Sequence, residues 1–232
     1  METEQFYRTE MLLGSEGVNR LRKAHIAVIG CGAVGGFAIE ALARAGIGKF
    51  TLIDGDTVEP SNINRQICAL HSTIGQPKTE VLKNRIKDIC PDTIVQVHTI
   101  FLSADNIEDL LSDRPDFVVD AIDILKDKID LILWLEQKGI PFISSMGAAR
   151  KTDWQKIKIS ALNQTSVCPL AAKLRKMLKS HNADLSFPCV YSTESPIAAQ
   201  GPNRQMGSLM TITGQFGLII ANEVISRIVN NV

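Results

Sequence analysis

The sequence lacks paired cysteines and an excess of charge of either sign. Its five cysteines, at positions 31, 68, 90, 168 and 189, are odd in number and form no CxxC pair. This pattern argues against a zinc ribbon and a disulfide framework, and it favours a reducing, cytoplasmic compartment. Lys plus Arg and Asp plus Glu number 25 each, so the net charge indicates no class of partner. We therefore expect no zinc, and only local clusters of charge can indicate a partner.

Long uninterrupted apolar runs are also missing. The first ten residues, METEQFYRTE, are polar and charged, which predicts no signal peptide. The most apolar stretch, residues 210–229, contains Gln215, Asn222, Glu223 and Arg227. Such a composition is typical of a buried or interface helix rather than a membrane span. At 232 residues, with 45% hydrophobic and 22% charged residues, the chain has the composition and length of one globular domain.

Strand-like and helix-like patterns alternate over the first 147 residues. This alternation predicts a Rossmann-like, doubly wound α/β fold around a mainly parallel sheet. The strand patterns cover residues 25–30, 50–54, 94–99, 116–122 and 141–145. The helical patterns cover residues 34–45, 77–89, 103–111, where Ser103 is the expected cap, and 125–138.

Residues 148–232 are predicted to extend the same single domain of residues 1–232 as a C-terminal α/β extension. They contain a strand pattern over 157–162, a basic helix that begins at Pro169, a long loop over 182–207 and a final helix over 208–229. A long polar loop of this kind is usually functional or mobile.

A glycine-rich motif follows the first predicted strand. Gly30, Gly32 and Gly35 form GxGxxG, and Asp54 ends the next strand about 20 residues on. The glycines allow the backbone to approach a pyrophosphate at a helix N-terminus, and the carboxylate can accept hydrogen bonds from ribose hydroxyls. The combination predicts an adenine nucleotide site, which NAD and ATP would both fit.

The polar segment after Asp54 distinguishes a nucleotide that is cleaved from one that is only held. Arg65 and Lys78 offer two cations to phosphate oxygens, and Asn62 and Gln66 can orient them. A single Lys or Arg is more often a surface residue, but this pair would stabilise charge on a leaving phosphate. We therefore predict ATP. An NAD-linked dehydrogenase stays open as an alternative that gives these cations no joint task.

Three aspartates complete the predicted site. Asp123 follows the strand pattern 116–122, at the sheet edge where open α/β folds bind ligands, and it is the candidate ligand of Mg²⁺. Asp120 is expected within the strand, in a structural or supporting role. Asp56 is expected to cap or orient the loop through local hydrogen bonds.

In this order the motifs resemble the ThiF-type adenylating domain of ubiquitin-activating enzymes and their bacterial sulfur-carrier relatives. They are GxGxxG, DxDxVxxSNxNRQ at 54–66, GxPK at 75–78 and DAID at 120–123. The resemblance implies that ATP and Mg²⁺ activate a carboxylate as an acyl-adenylate, with release of pyrophosphate. Residues 1–147 would be the nucleotide-binding half.

The same resemblance implies roles for individual residues. Asp54 would hold the ribose and Asp123 the Mg²⁺. The phosphates would be bound by Asn62, Arg65 and Lys78. Arg8 resembles an arginine that members of this superfamily lend to the triphosphate of a neighbouring subunit, which would make a homodimer necessary for catalysis. The expected catalytic set is Arg65, Lys78, Asp123 and Arg8.

Two motifs in the second half, ISSMGAA at 143–149 and TSVCPLAAKLRK at 165–176, are similar to the tRNA threonylcarbamoyladenosine dehydratase family. The similarity implies adenylation of the carboxylate of a threonylcarbamoyl group on tRNA, after which the modification closes to a ring with loss of water. Residues 148–232 would face the tRNA and a second subunit. The expected RNA contacts are Arg150, Lys151, Lys173, Arg175, Lys176 and Lys179. A solvated charged helix is the simpler alternative.

The chain also departs from sulfur-carrier activators, in which an Asn follows the magnesium Asp, an Arg stands five residues after it and two CxxC pairs hold zinc. Ile124 and Lys128 occupy those two positions here, which disfavours protein activation. Ala149 and Arg150 stand where the dehydratase pattern has Gly and Asn. Two alternatives stay open: an activator of a sulfur-carrier or ubiquitin-like protein, and a non-catalytic nucleotide- or RNA-binding module.

Two cysteines are candidate nucleophiles. Cys168 precedes Pro169 and a basic helix, a setting that can activate a thiol, and Cys189 lies in the long loop. Ring closure within one substrate needs no covalent enzyme intermediate, so neither cysteine belongs to the expected catalytic set. A sulfur-relay protein stays open as a partner.

Overall fold

One seven-stranded sheet organises the computed structural model, which describes residues 2–198 and 206–231. The strands are β1 (His25–Ile29), β2 (Lys49–Ile53), β3 (Ile94–His98), β4 (Phe117–Asp120), β5 (Phe142–Ser145), β6 (Ile157–Ala161) and β7 (Pro188–Ser192). Their order is β3-β2-β1-β4-β5-β7-β6, and every neighbouring pair is parallel except β6 with β7. The predicted Rossmann-like, mainly parallel fold is confirmed.

Within the described residues, eight α-helices cover both faces of the sheet. They are α1 (Glu2–Gln5), α2 (Tyr7–Lys23), α3 (Gly35–Ala45), α4 (Lys78–Ile89), α5 (Ile107–Leu110), α6 (Leu125–Lys138), α7 (Pro169–Ser180) and α8 (Met210–Asn230). The core on one face is formed with α2, α3, α4 and α8, and the core on the other with α5, α6 and α7.

The central strand β1 shows why the sequence folds this way. Successive side chains of a strand point to opposite faces, so a strand covered on both sides must be apolar throughout. All five residues of β1 are buried. Ile26 and Val28 belong to the core under α3 and α8, whereas Ala27 and Ile29 belong to the core under α6 and α7.

The last helix, α8, packs against the start of α3. A Cβ atom on Gly217 would lie only 2.4 Å from the carbonyl oxygen of Val34, so a glycine is needed at this crossing. The α8 helix is long and apolar enough to cross a membrane by length and composition, yet its buried face contributes Phe216, Ile220 and Val224 to the core. This packing is that of a core helix, as its interrupted apolar run predicts.

Three elements differ from the sequence prediction. The loop predicted over 182–207 contains β7, whose residues Cys189 to Ser192 are buried between β5 and β6. The helix predicted over 103–111 is only the four residues of α5, and its N-cap is Asn106 rather than Ser103. The amino-terminal segment forms α2, which the sequence patterns did not predict and which is kinked at Gly14, with φ of 71°.

Candidate functional site

A cleft of about 720 Å³ opens at the carboxyl ends of β1, β2, β4 and β5. Open α/β sheets bind ligands at this edge. The cleft brings together most of the predicted nucleotide residues, namely Gly30, Gly32, Asp54, Asp56, Asn62, Arg65, Gln66, Lys78 and Asp123. Gly35 and Arg8 do not line it. Residues from the second half reach the same cleft, among them Arg150, Lys151, Cys168 and Lys173.

The three glycines of the motif have different physical tasks. Gly30 has φ of 91°, and a Cβ there would lie 2.7 Å from the carbonyl oxygen of Ala121. A Cβ on Gly35 would lie 1.8 Å from the carbonyl oxygen of Gly30. A glycine at position 35 therefore lets the start of α3 pack directly against the turn. Gly32 has open space beside its backbone, since the nearest atom to a Cβ there is Gln66 Nε2 at 3.8 Å. A ligand in the cleft can therefore approach the backbone closely at this position.

The phosphate loop ends at the N-terminus of α3. Val34 is the N-cap residue and no side chain caps the helix. Free N–H groups and the positive end of the helix dipole therefore lie beside the cleft, which Ala33 and Val34 line. This is a suitable binding site for an anion.

Asp54 ties this loop to the end of β2. Its Oδ2 accepts a hydrogen bond of 2.6 Å from the Cys31 N–H, and its Oδ1 accepts one of 2.8 Å from the Asp56 N–H. Burial raises the pKa of Asp54, while these two N–H groups and the nearby Lys78 partly oppose the shift. The carboxylate has acceptor capacity left for ribose hydroxyls.

Lys78 lies at the first position of α4 and is 5% exposed. Its Nζ donates a 2.6 Å hydrogen bond to Asp56 Oδ2, and its N–H bonds the Asp56 carbonyl oxygen. Asp56 therefore orients a buried cation into the cleft, which is more specific than the local capping that the sequence predicts for it. The ammonium has further donors for phosphate oxygens.

Arg65 and Asn62 come from the turn after β2. Asn62, 6% exposed, accepts from the Glu59 N–H at 3.2 Å and so holds a 3₁₀ turn. Arg65 Nη1 donates to the Ser61 carbonyl oxygen at 2.8 Å and to Asn64 Oδ1 at 3.0 Å. These bonds position the guanidinium at the cleft wall. Its Nε and Nη2 bond no other residue within 2–198 and 206–231.

Asp123 is an exposed carboxylate on the cleft wall. It makes no side-chain hydrogen bond or ion pair with any residue that the structure describes. Within those same ranges, no three His, Cys, Asp or Glu side chains form a cation-binding group. A single carboxylate beside a phosphate site fits Mg²⁺, which usually takes one or two protein carboxylates and completes its shell with water and phosphate oxygens.

The six basic residues expected to contact RNA lie in two different environments. Lys151 is only 3% exposed and its Nζ donates to the Glu194 carbonyl oxygen at 2.6 Å, so the structure places it in the cleft wall. Burial lowers the pKa of Lys151. Arg175 Nη1 donates to the Thr165 carbonyl oxygen at 3.0 Å, which commits it to the turn before α7. Arg150 is half-buried and its Nε donates to the Ile197 carbonyl oxygen.

Three of the six remain available to a partner. Lys173, Lys176 and Lys179 are exposed along α7. Lys173 also lines the cleft, so the three lysines lead from the cleft outward along one helix.

The cysteines near the cleft are buried. Cys168 is the N-cap residue of α7, is 2% exposed and lines the cleft. Burial, with Cys168 nearby, raises the pKa of Cys189 to about 12. Cys189 is therefore a protonated, structural thiol at neutral pH, and burial likewise raises the pKa of Cys31.

Arg8 lies on the exposed amino-terminal part of α2. The same part of the helix exposes Tyr7, Met11 and Leu12, which are 60%, 70% and 86% exposed. Arg8 does not line the cleft of its own chain. The three large apolar side chains beside it are suited to a contact with another chain.

Comparison with known proteins identifies the family. The model of the ThiF family matches residues 6–231. The chain is 41% identical to the tRNA threonylcarbamoyladenosine dehydratase of Bacillus subtilis, over 83% of this chain and 76% of that protein. It is 35% identical to the Escherichia coli protein of the same name, over 97% and 93% of the two chains.

A solved structure agrees with this sequence similarity. The crystal structure of the E. coli tRNA N6-threonylcarbamoyladenosine dehydratase in complex with ATP matches with a TM-score of 0.92 and 36% identity, over 99% of this chain and 95% of that chain. The chain therefore belongs to the ThiF family, in the branch of the tRNA threonylcarbamoyladenosine dehydratases.

Proposed function

We propose that this protein is an enzyme that uses ATP to adenylate the carboxylate of threonylcarbamoyladenosine in tRNA, which drives cyclisation of the modification with loss of water. The observation that carries the proposal is one cleft in which the glycine loop, the buried Lys78, Arg65 and Asp123 meet. The E. coli relative with 36% identity has been solved with ATP bound. The B. subtilis and E. coli relatives bear the name of this activity.

The first step is attack of the substrate carboxylate on the α-phosphorus of ATP, with pyrophosphate as the leaving group. The carboxylate is already ionised at neutral pH, so the step needs positioning and charge stabilisation more than acid or base catalysis. Lys78 and Arg65 place two fixed cations beside the cleft, and the free end of α3 adds partial positive charge. Asp54 would accept hydrogen bonds from the ribose.

Asp123 would hold Mg²⁺, and the ion would neutralise charge on the phosphates when bound. The carboxylate fits this task because it is exposed on the cleft wall and has no partner among the described residues. Zinc has no role in the proposal.

The second step closes the ring. A carbamoyl oxygen attacks the activated carboxyl carbon, the bond to AMP breaks, and the carbamoyl N–H releases its proton. The carboxylate oxygen leaves with AMP, so the nucleoside loses one water overall. Attacking and attacked groups belong to one substrate, which makes the step intramolecular and gives neither Cys168 nor the protonated Cys189 a covalent task.

The tRNA would approach along α7. This helix carries a row of three exposed lysines that starts at the cleft, namely Lys173, Lys176 and Lys179. Lysines spaced along a helix can bind a phosphate backbone without recognising its sequence. Arg150, half-buried at the cleft wall, would contact the modified nucleotide rather than the backbone. Lys151 and Arg175 would support this wall through their bonds to neighbouring carbonyl oxygens.

A homodimer is part of the same proposal. Arg8 would reach the triphosphate of the partner subunit, with Tyr7, Met11 and Leu12 buried by the contact. We also expect a cytoplasmic location without membrane attachment. A sulfur-relay protein remains an additional partner to be tested.

The decisive experiment is mass spectrometry of nucleosides from tRNA incubated with the protein, ATP and Mg²⁺. The expected product is the threonylcarbamoyl nucleoside lighter by one water, formed together with AMP and pyrophosphate. Omission of ATP is the control. Unchanged nucleosides at full ATP consumption would refute the proposal.

Three further observations separate the alternatives. A small protein ending in Gly-Gly would cause pyrophosphate release only with an activator of sulfur-carrier or ubiquitin-like proteins. Binding of ATP without any pyrophosphate release would favour a non-catalytic module. Tighter binding of NAD than of ATP with Mg²⁺ would favour a dehydrogenase.

A further inference from the structure

A fully buried cluster of three polar side chains lies beneath the cleft. Asp120 ends β4, Ser144 lies beside it on β5, and Lys128 reaches both from the first turn of α6. Lys128 Nζ donates to Asp120 Oδ2 at 2.7 Å and to Ser144 Oγ at 3.1 Å, and Ser144 Oγ donates to Asp120 Oδ2 at 2.6 Å. The Lys128 and Asp120 side chains are 0% exposed.

This cluster fixes the loop that carries Asp123. The second oxygen of Asp120 accepts from the Ile122 N–H at 3.2 Å. The Ala121 N–H bonds the Ile29 carbonyl oxygen at 2.9 Å, and the Ala121 carbonyl oxygen lies against Gly30 of the phosphate loop. Residues 121 and 122 are thus held between a buried carboxylate on one side and the glycine loop on the other.

Stability alone does not account for such a pair. Removing two charges from water costs several kcal/mol per ion, and apolar residues of similar volume are often as stabilising or more so. Leu or Met at position 128 would fill the same space on α6. Neither could hold the Asp120 carboxylate in the orientation that binds the Ile122 N–H.

We propose that the Lys128–Asp120–Ser144 cluster is a positioning element that sets the place of Asp123 relative to the phosphate loop, and with it the response of nucleotide binding to Mg²⁺. The inference rests on the proposed function insofar as Asp123 serves Mg²⁺·ATP. None of the three residues lines the cleft, so they act through the loop 121–124 and not on the substrate.

A charge-neutral double variant, Asp120→Asn with Lys128→Met, removes the ion pair without leaving one charge buried alone. The matched control carries the same two replacement types at two positions of α6, Lys126→Met with Asp130→Asn, and removes the exposed pair at 3.0 Å. Two binding constants are measured for each full-length protein by calorimetry, for a non-hydrolysable ATP analogue with Mg²⁺ and without it. ATP–pyrophosphate exchange with modified tRNA is measured in parallel.

The wild-type protein and the control should bind the analogue more tightly when Mg²⁺ is present. The Asp120→Asn, Lys128→Met protein should match their affinity without Mg²⁺ to within about twofold but lose most of the gain from Mg²⁺. Its exchange rate should fall by about 10²-fold, the loss expected for a misplacement of roughly 1 Å. A cluster with only a structural role would instead lower the melting temperature and leave the Mg²⁺ gain intact, which overturns the inference.

Ser144 provides a second route if the double variant does not fold. Ser144→Ala removes two bonds of the cluster and keeps the ion pair, whereas Ser144→Thr keeps the hydroxyl. The increase in affinity for the analogue on addition of Mg²⁺ should be smaller in Ser144→Ala and should persist in Ser144→Thr. Equal increases in the two variants would overturn the inference. A wild-type protein with a Mg²⁺ gain but no dehydrated nucleoside would refute the proposed function alone, whereas the absence of any gain in the wild type would refute the positioning role.

Discussion

Replacement of Lys78 by Met removes one buried cation from the cleft and changes little else. The side chain is 6% exposed, so the Met side chain fills the space of the lysine stem. Its partner Asp56 has a side chain that is 51% exposed, and water can solvate the carboxylate once the ammonium is gone. Because the remaining charge is solvated, the cost in folding free energy should be smaller than the about 3–5 kcal/mol that follows when a charge is left buried without its partner. The variant should therefore fold.

The effect on the reaction should be much larger. A fixed group that stabilises charge developing in the transition state contributes about 2.7–4 kcal/mol. With about 1.4 kcal/mol for each tenfold change in rate, the Lys78→Met protein should show ATP–pyrophosphate exchange about 10²- to 10³-fold slower than the wild type. A smaller loss of affinity for ATP should accompany it.

The matched control is Lys83→Met on the same helix. Lys83 is partly exposed and pairs with Glu80 at 3.5 Å, away from the residues that line the cleft. Exchange kinetics at saturating ATP and modified tRNA, with the melting temperature of each protein, form the assay. An exchange rate for Lys78→Met within threefold of the Lys83→Met rate would refute the assignment of Lys78 to the phosphates.

Three other predictions test the glycine loop, the exposed lysines of α7 and the buried thiols. Gly35→Ala places a Cβ 1.8 Å from the Gly30 carbonyl oxygen, and the resulting strain of about 1–3 kcal/mol should weaken ATP binding by about 10- to 100-fold in calorimetry. Simultaneous replacement of Lys173, Lys176 and Lys179 by Glu should weaken tRNA binding. It should also reduce the slope of log K against log salt concentration by about 2, because each lost phosphate contact removes about 0.7. Burial raises the pKa of Cys189 to about 12, so iodoacetamide at pH 8 should modify this thiol only after unfolding, as judged by peptide mass spectrometry.

Each of these predictions has its own control and opposing outcome. Gly207→Ala is the control for the loop, because a Cβ at Gly207 meets no atom within 4 Å; equal ATP affinity of the two alanine proteins would contradict the reading of Gly35. Lys83 and Lys87 changed to Glu on α4, on the other face of the sheet, control for charge alone. Labelling of Cys189 in the folded protein as fast as that of the half-buried Cys90 would contradict the thiol prediction.

The elements of residues 1–147 could be predicted from the sequence because each depends on residues that are close together in the chain. Residues 26–29 of β1 form a continuous apolar run buried on both faces, and Gly30 and Gly35 mark a turn in which a Cβ would collide with a backbone carbonyl oxygen. The bounds of α6, Leu125–Lys138, follow from helical periodicity and from Gly139 in the left-handed conformation. Asp54 and Asp123 stand directly behind β2 and β4, so parallel topology alone places both at one edge of the sheet. Arg65 and Lys78 lie farther along the connection from β2 to α4, and only their motifs indicated that they belong to the same site.

The second half was less predictable because its structure depends on distant residues. The five residues of β7 have flanks rich in Ser and Pro, and they are a strand only because β5 pairs on one side and β6 on the other. A count of charges does not indicate that Lys151 is buried, because its hydrogen bond to the Glu194 carbonyl oxygen depends on a loop 43 residues away. In the sequence Lys128 is only a departure from a motif, since nothing local indicates that a lysine on α6 meets Asp120 across the sheet edge.

The crossing of α8 over the start of α3 links nucleotide binding to the order of synthesis. The glycine loop is made early, but the helix that packs behind it is the last one of the described chain, and Arg20 on α2 also bonds the Val229 carbonyl oxygen of α8. Contacts between segments so far apart in sequence form late and slow the folding of the unit. A nascent chain on the ribosome would therefore carry the glycine motif before α8 is available to pack behind it, and we expect ATP binding to begin only once α8 has been made.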